Sequence, residues 1–288
     1  MPSFAVIGAS RGVGLELVRQ LSASAANTVI VTVRNKEKST HLNELVQASK
    51  SKNIHIVEAD VADHHALERA AAEAAQITGG SLDVLVHNAA RMEAENMIKG
   101  FLDYDTPEKL DAEFLASVCI TSNSRFADAE KITPNQFKVN VLGVVHTVNA
   151  FLPLLRRGTT KKIIIIGSEG GDCGLVWKMR LSNAAAYGTT KAAENMVATK
   201  YAAELESEGF TVVSVSPGMV DVSGTATSSV VSPETMPTVT KIMNGIFAAF
   251  PKAAMITPEE SGRRLVSFFD SVGPAESGVF RPSMEYLD

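Results

Sequence analysis

Four short apolar runs set the frame of this chain: Phe4–Ile7, Thr28–Val33, Ile54–Ala59 and Leu82–Val86. Stretches with helical character follow the first three. Leu15, Leu17, Val18 and Leu21 follow the first at helical spacing. Leu42, Leu45 and Val46 face inward from the polar stretch Lys36–Ser51. Asp63 stands as a cap before an alanine-rich helix that runs to about Thr78. Strand and helix in steady alternation predict a parallel sheet with helices on both faces. Such sheets take ligands beyond the C-terminal ends of their strands. The residues standing there are Gly8 with the glycines behind it, Arg34, Asp60 and Asn88.

The first of these ends is the most telling. It reads Gly8-Ala9-Ser10-Arg11-Gly12-Val13-Gly14 and runs directly into a helix. Glycine lets the backbone turn tightly and lets a pyrophosphate approach the helix N-terminus, whose free N–H groups and dipole favour anions. Asp60 is open to two readings, a ligand acceptor or a cap for the following helix.

The alternation breaks from Arg91 to Val139, a stretch far longer than the ~12–15 residues of an ordinary loop. Phe101, Leu102, Tyr104, Phe114 and Leu115 predict that it is partly helical and packed, although Thr121–Arg125 is polar. Pro134 then opens a helix over Asn135–Arg156 that carries Asn140. Lys161–Ile166 is the most apolar run, hence the central strand, and it ends at Gly167-Ser168. A further loop holding Trp177 separates Ser168 from Tyr187. The proline-free stretch Ala185–Ser207 reads as a helix with Ala192, Ala193, Met196, Val197, Ala203 and Leu205 as its apolar residues. A strand over Phe210–Ser214 ends in Pro217-Gly218-Met219-Val220. Helices at about Pro233–Phe250 and Pro258–Val272 and an edge strand at Ser277–Arg281 complete the chain, giving about seven strands in one domain over 1–288.

Tyr187 and Lys191 stand four apart on one helix face, so phenol and ammonium can share a space. A free tyrosine titrates near ~10, and a fixed cation lowers that value. The pair is therefore a candidate acid/base, or a surface tyrosine beside a solvated lysine.

Composition excludes several classes. A net charge of -5 argues against nucleic-acid binding. Two cysteines, Cys119 and Cys173, make neither a disulfide framework nor a zinc cluster, and a reducing, cytoplasmic setting is expected. No signal peptide is read at the N-terminus, and no apolar run reaching the ~18 residues of a membrane span is read. His64-His65 reads as a solvated helix start, His87 and His146 lack ligand partners at metal spacing, and no metal is expected. Cys173 can line the pocket after Ser168, with nothing beside it to make it a nucleophile.

Taken together, these residues resemble the short-chain dehydrogenase/reductase family in its single-domain form, over nearly the whole chain. The family's glycine motif stands at Gly8–Gly14, and its Asn-Asn-Ala-Gly motif at His87-Asn88-Ala89-Ala90 with the first Asn and the Gly replaced. Its catalytic tetrad matches Asn140, Ser168, Tyr187 and Lys191, and its Pro-Gly turn matches Pro217-Gly218. The gaps before Asn140 and before Tyr187 are long for the family. After Pro-Gly the Thr that often holds the nicotinamide is missing from Val220-Asp221-Val222-Ser223, so Ser223 or a backbone group would replace it.

The resemblance implies a Rossmann-type doubly wound fold and hydride transfer between a nicotinamide and a carbonyl or carbinol carbon. Ser168 would bind the substrate oxygen, Tyr187 transfer the proton, Lys191 hold the ribose and lower the Tyr187 pKa, and Asn140 hold a relay water or serve structure alone. Cofactor contacts would come from Gly8, Ser10, Arg11, Gly12, Val13, Gly14, Arg34, Asp60, Val61, Asn88, Ala89, Ala90, Pro217, Gly218 and Val220, with Tyr187 and Lys191. NADP(H) is expected over NAD(H), because the second strand ends in Arg34 where NAD-preferring relatives carry an acid, and Arg11 can reach the same 2′-phosphate. The insertion at about 91–133 and the loop at about 169–186 would flank the substrate mouth, and their apolar residues suit a bulky apolar ketone or quinone. The alternatives are a dehydratase or isomerase on the same fold, or a non-catalytic NADP-binding regulator. A regulator would be expected to have lost Ser168, Tyr187 or Lys191, and all three stand. A homo-oligomer formed through the helices of Asn140 and Tyr187 is expected, with the insertion able to remodel that interface.

Overall fold

The computed structural model describes residues 1–92, 97–114, 136–226 and 232–283. Its strands are β1 (Ser3–Ile7), β2 (Thr28–Val33), β3 (Ile54–Glu58), β4 (Val84–His87), β5 (Lys162–Ile166), β6 (Thr211–Val215) and β7 (Phe280–Arg281). They form one parallel sheet in the order β3-β2-β1-β4-β5-β6-β7. The fold is thus the expected doubly wound Rossmann type. Its order reverses at β1, which pairs with both β2 and β4 in parallel register, Ile7 meeting Thr32 on one side and His87 on the other. The loops leaving β1 and β4 diverge to opposite faces from that point, which is where such sheets open a crevice.

Successive strand residues feed opposite layers. Ala5, Ile7, Ile163 and Ile165 pack on α3 (His64–Thr78), α5 (Gly143–Leu155) and α7 (Ala185–Leu205). Phe4, Val6, Ile164 and Ile166 pack on α1 (Gly12–Ser22), α2 (Thr40–Ala48) and α9 (Pro258–Ser271). Both faces of β5 are covered, so its run of isoleucines needs no polar alternation. Each fully buried isoleucine contributes about 1.5–3 kcal/mol.

Several boundaries differ from expectation, for local reasons. The second helix begins at Thr40 and not Lys36, because the Asn35 carboxamide accepts from Lys38 N and its carbonyl accepts from Ser39 Oγ, closing a turn first. The loop over 169–186 contains α6 (Cys173–Met179), capped by Asp172, whose carboxylate accepts from Leu175 N. The eighth helix, α8, spans Met236–Ala249, and Pro233 sits in the turn before it. Part of the stretch from Arg91 to Val139 is α4 (Pro107–Phe114); Leu115, Cys119, the polar stretch Thr121–Arg125, Pro134 and Asn135 lie outside the described residues. On α7 the inward face takes only Leu205 of the apolar residues named from sequence. Ala185, Ala186, Ala198, Ala202 and Leu205 go inside together with Thr190, Lys191 and Glu194, while Met196 and Ala203 face solvent. The stretch Lys138–Leu155 is long and apolar enough by length and composition to cross a membrane, contrary to the sequence expectation. Half of it is buried inside the fold, as a core helix would be.

Asp83 staples the start of the sheet. Its carboxylate accepts from Ser3 N and Oγ at 2.8 and 2.9 Å and from Thr159 N and Oγ1 at 2.9 and 2.7 Å. Burial pushes this carboxyl up, but the bonds from Thr159 and Ser3 outweigh it and hold Asp83 below the usual carboxylate range. A depressed carboxylate contributes stability above its unfolded pKa and loses it as pH falls through the folded value. Asp83→Ala is therefore expected to cost about 2–4 kcal/mol at pH 7, measured by urea unfolding. The gap between variant and wild type should narrow as the pH is taken below about 4.

Candidate active site

The turn after β1 forms the phosphate end of the crevice. Gly8 has φ +81°, and a Cβ there would lie 2.6 Å from Ala89 Cα, so the loop after β4 can approach only a glycine. Asn88 ties the two strand ends, its Nδ2 donating to Gly8 O at 2.6 Å and its N to Ile7 O at 3.0 Å. Ala90 follows on the exposed rim, and Ser10 and Val13 are half-buried in the glycine turn. Helix α1 starts behind that turn with no side-chain cap from Arg11, which leaves its N-terminal donors to a ligand. One of them is taken: Gly12 N donates to Thr225 Oγ1 at 3.0 Å. Thr225 was not found from sequence, because it lies beyond the position where the family's Thr is expected. Only the fold back of the chain after Gly218 brings it to the glycine turn.

Arg11 and Arg34 are both exposed, at the start of α1 and the end of β2. Gly8 N and Ala9 N donate to Thr32 O, which joins the two loops that carry them. Asp60 does not cap the next helix. Its carboxylate accepts from Ala62 N at 2.9 Å, and Asp63 makes the cap through His65 N and Ala66 N. Val61 is buried against Gly143. Gly218 adopts φ +85° after Pro217, whose carbonyl accepts from Ser261 Oγ. Val220 bridges to Ile256 through the bonds of Met219 O and Asp221 N, so its own N–H and C=O stay outside the bridge. Cys173 is a free, exposed thiol at the start of α6. The His64 ring lies 4.0 Å from that of His65 and 5.5 Å from that of His146, centroid to centroid and tilted to both, at the start of α3.

The reactive end lies where β5 meets α7. Ser168 follows the strand, accepts from Gly170 N at 3.1 Å, and its hydroxyl is among the groups that pull the Tyr187 phenol down. Small residues make the approach of the two segments feasible. A Cβ on Gly171 would stand 2.6 Å from Lys191 C, and one on Gly188 would stand 2.7 Å from Gly170 O. The Ser168 turn therefore sits directly on the first turns of α7. The first part of the insertion reaches the same place, since Ala185 N donates to Lys99 O and Asn183 Nδ2 donates to Ile98 O.

Lys191 is buried, and its ammonium lies 5.8 Å from the centre of the Tyr187 ring. Nζ donates to Ile166 O at 2.8 Å and pairs with Glu194 Oε2 at 2.6 Å. Burial would push Lys191 down, but Glu194 above all, with Tyr187, holds it up. Glu194 is itself fully buried, which pushes it up to about 7 against the pull of Lys191. Tyr187 departs from the expected lowering. Burial pushes it up, Lys191 and Ser168 pull it down, Glu194 and Glu169 push it up, and the balance lies above the ordinary phenol value. His87, at the end of β4, is fully buried with neither ring nitrogen bonded. Burial and the Lys191 charge take it down to about 3, so it is neutral.

Asn140 lies in a π turn, Lys138–Leu142, ahead of α5. Its amide grips the Arg91 backbone, accepting from N at 2.7 Å and donating to O at 3.0 Å. The second N–H goes to Thr190 Oγ1 at 2.9 Å, which in turn donates to Tyr187 O. Both amide donors are thus spent on protein groups. Glu169 was missed too. Its carboxylate accepts from Ser216 Oγ and from Ser283 N, strapping the Ser168 turn to the Pro217 loop and to the chain after β7.

Residues 3–231 match the sequence profile of the short chain dehydrogenase family. Among curated proteins, the chain is 35% identical over 285 residues to the short-chain dehydrogenase/reductase atnB of Arthrinium sp, covering 97% of this chain and 96% of that protein. It is 40% identical over 229 residues to the short-chain dehydrogenase/reductase AacuF of Aspergillus aculeatus, covering 79% and 77%. In fold it resembles the NADPH-bound carbonyl reductase from chicken fatty liver, with a TM-score of 0.71 at 22% identity over 100% and 98% of the chains. It also resembles the carbonyl reductase Sniffer of D. melanogaster, with a TM-score of 0.69 at 21% identity over 98% and 96%.

The glycine contacts make a testable contrast. Gly171→Ala forces a methyl against the α7 backbone and is expected to destabilise by about 1–3 kcal/mol. Gly170→Ala meets only Ser168 Oγ at 3.4 Å and is expected to stay within about 0.5 kcal/mol of wild type. Equilibrium denaturation of the two variants side by side measures the difference.

Proposed function

This chain belongs to the short-chain dehydrogenase family of oxidoreductases, and from that premise we propose that it is an NADPH-dependent carbonyl reductase. The observation that carries the reading is the gathering of Ser168, Tyr187 and Lys191 where β5 meets α7, on the same sheet edge as the glycine turn. The chicken protein of similar fold is described as an NADPH-bound carbonyl reductase, which accords with it.

The residues fit a dinucleotide. The Gly8–Gly14 turn and the α1 N-terminus would hold its pyrophosphate, Asp60 and Asn88 its adenosine side, and the Val220 backbone its amide. Arg11 and Arg34 would hold a 2′-phosphate. When bound, such a cofactor supplies hydride to a carbonyl carbon. Ser168 Oγ would donate to the carbonyl oxygen and polarise it, and Tyr187 Oη would deliver the proton. Lys191 has three N–H donors; one goes to Ile166 O while the ammonium pairs with Glu194, so donor capacity remains for a ribose hydroxyl. The substrate side is apolar. On the loop after Ser168 the exposed Trp177 and the half-buried Leu175 and Leu181 favour a bulky apolar ketone or quinone over a small sugar. A second copy of the chain would pair through the groove between α5 and α7, where Met196, Val197 and Leu152 flank Tyr201.

Tyr187→Phe is expected to lower NADPH-dependent ketone turnover by ~10²–10⁴-fold with cofactor affinity retained. Near-normal turnover in this variant removes the proton-donor role. For the cofactor, two arginine–phosphate contacts at an open site would give a preference for NADPH over NADH of about a hundredfold or more in kcat/KM. Arg34→Asp is expected to collapse that ratio. Equal use of both cofactors by the wild type refutes the assignment.

A further inference from the structure

We propose, building on the reductase reading, that Glu194 is a positioning residue which acts through Lys191 to keep the Tyr187 phenol protonated. Carbonyl reduction would then persist to higher pH than the Tyr187–Lys191 pair alone would allow.

The geometry singles Glu194 out. The inward stripe of α7 reads Lys191, Glu194, Ala198, Ala202 and Leu205, all buried. Past the lysine, every other member of the stripe is a small or branched apolar side chain. A carboxylate in that row adds nothing to packing. Its Oε2 lies 2.6 Å from Lys191 Nζ as an ion pair, and neither carboxylate oxygen has a hydrogen-bond partner among the described residues. A buried pair whose carboxylate oxygens lack hydrogen bonds is a poor source of stability, because desolvation offsets the Coulomb attraction. What the carboxylate does control is the charge felt by the phenol.

With Lys191 alone beside it, a phenolate at Tyr187 would be the matching anion of an ion pair. With Glu194 in place the buried ammonium already has its anion, and a phenolate at the half-buried Tyr187 would be a second negative charge beside it. The other titratable groups do not supply the missing cation. His87, from β4, is neutral, and Glu169, beyond β5, is a further acid whose influence on Tyr187 has the same sign as that of Glu194. From the helix packed alongside, Asn140 is uncharged. The net upward displacement of Tyr187 follows from burial with these acids outweighing Lys191.

The chemistry this affects is one proton. In reduction, hydride goes to the carbonyl carbon, the O–H proton of Tyr187 goes to the oxygen, and the phenolate left behind recovers a proton from solvent. The reverse oxidation needs the phenolate as base. Glu194 cannot alter the overall equilibrium. It sets the pH at which the form competent for reduction gives way to the form competent for oxidation.

The test has a readout that does not depend on turnover. The full chain contains four tyrosines, so tyrosinate absorbance is titrated against pH and the Tyr187→Phe trace subtracted to isolate one. Glu194→Gln keeps an oxygen for Lys191 and removes the charge, while Glu194→Leu restores the apolar stripe if the first variant folds poorly. The expected result is a Tyr187 midpoint lower by about one to two pH units in either variant. An unchanged or higher midpoint overturns the proposal. In parallel, kcat/KM for ketone reduction should fall off at correspondingly lower pH in the variants, with the plateau retained, and an unmoved alkaline limb also overturns it. If wild type reduces no ketone while the tyrosinate midpoint still moves, the reductase reading fails and the charge-setting role of Glu194 stands.

Discussion

An ammonium removed from water must find fixed partners, and the need of Lys191 for them organises the reactive end of this protein. Its first partner, Ile166 O, is the last carbonyl of β5. That contact fastens α7 to the strand end. Ser168 stands two residues beyond Ile166, and Tyr187 one helical turn before Lys191, so the same contact sets how closely hydroxyl and phenol approach. Gly171 and Gly188 then remove the methyl groups that would hold the two segments apart. The pocket is in this sense a by-product of satisfying one buried charge.

The sheet decides where that charge sits relative to the phosphate end. Because β1 lies between β2 and β4, the glycine turn, Asn88 and the β5 terminus occur side by side along one edge. Polar side chains, not packing, hold these loops in place there. Asn88 joins the ends of β1 and β4, Asn140 holds the chain leaving β4, and Glu169 joins the end of β5 to the loop after β6. Each connection is non-local, and together they make a crevice from loops that share little apolar contact.

This division explains what could be read from sequence. Strands β1, β2, β4, β5 and β6 were legible because burial on both faces leaves continuous apolar runs, while the partly buried β3 and the short β7 were read from the turns around them. The glycine turn, Ser168, Tyr187 and Lys191 were legible as motifs. Glu194 was not, because a Lys–Glu pair three apart looks like a solvated helix face until the sheet behind it is known. Thr225 and Glu169 were invisible for a related reason, their partners being Gly12 in one case and Ser216 and Ser283 in the other. The helix α6 was too short for a periodic signal, and the turn at Asn35 displaced the start of α2 through side-chain bonds that compete with helix.

The π turn at Lys138–Leu142 has a consequence for how this chain can change length. Gly143 N reaches back five residues to Lys138 O, so the helix accommodates one residue more than an α-helical turn would. Removing any residue of that turn would heal the helix into regular α geometry, with little loss of backbone bonding. It would also rotate everything upstream by roughly 100°, the angular step of one residue. Asn140 would swing away from Arg91 and Thr190, and the chain leaving β4 would lose its anchor. A deletion that looks harmless by helix propensity is therefore forbidden by phase, and the insertion upstream can vary in length only as far as Asn140 keeps its angular place.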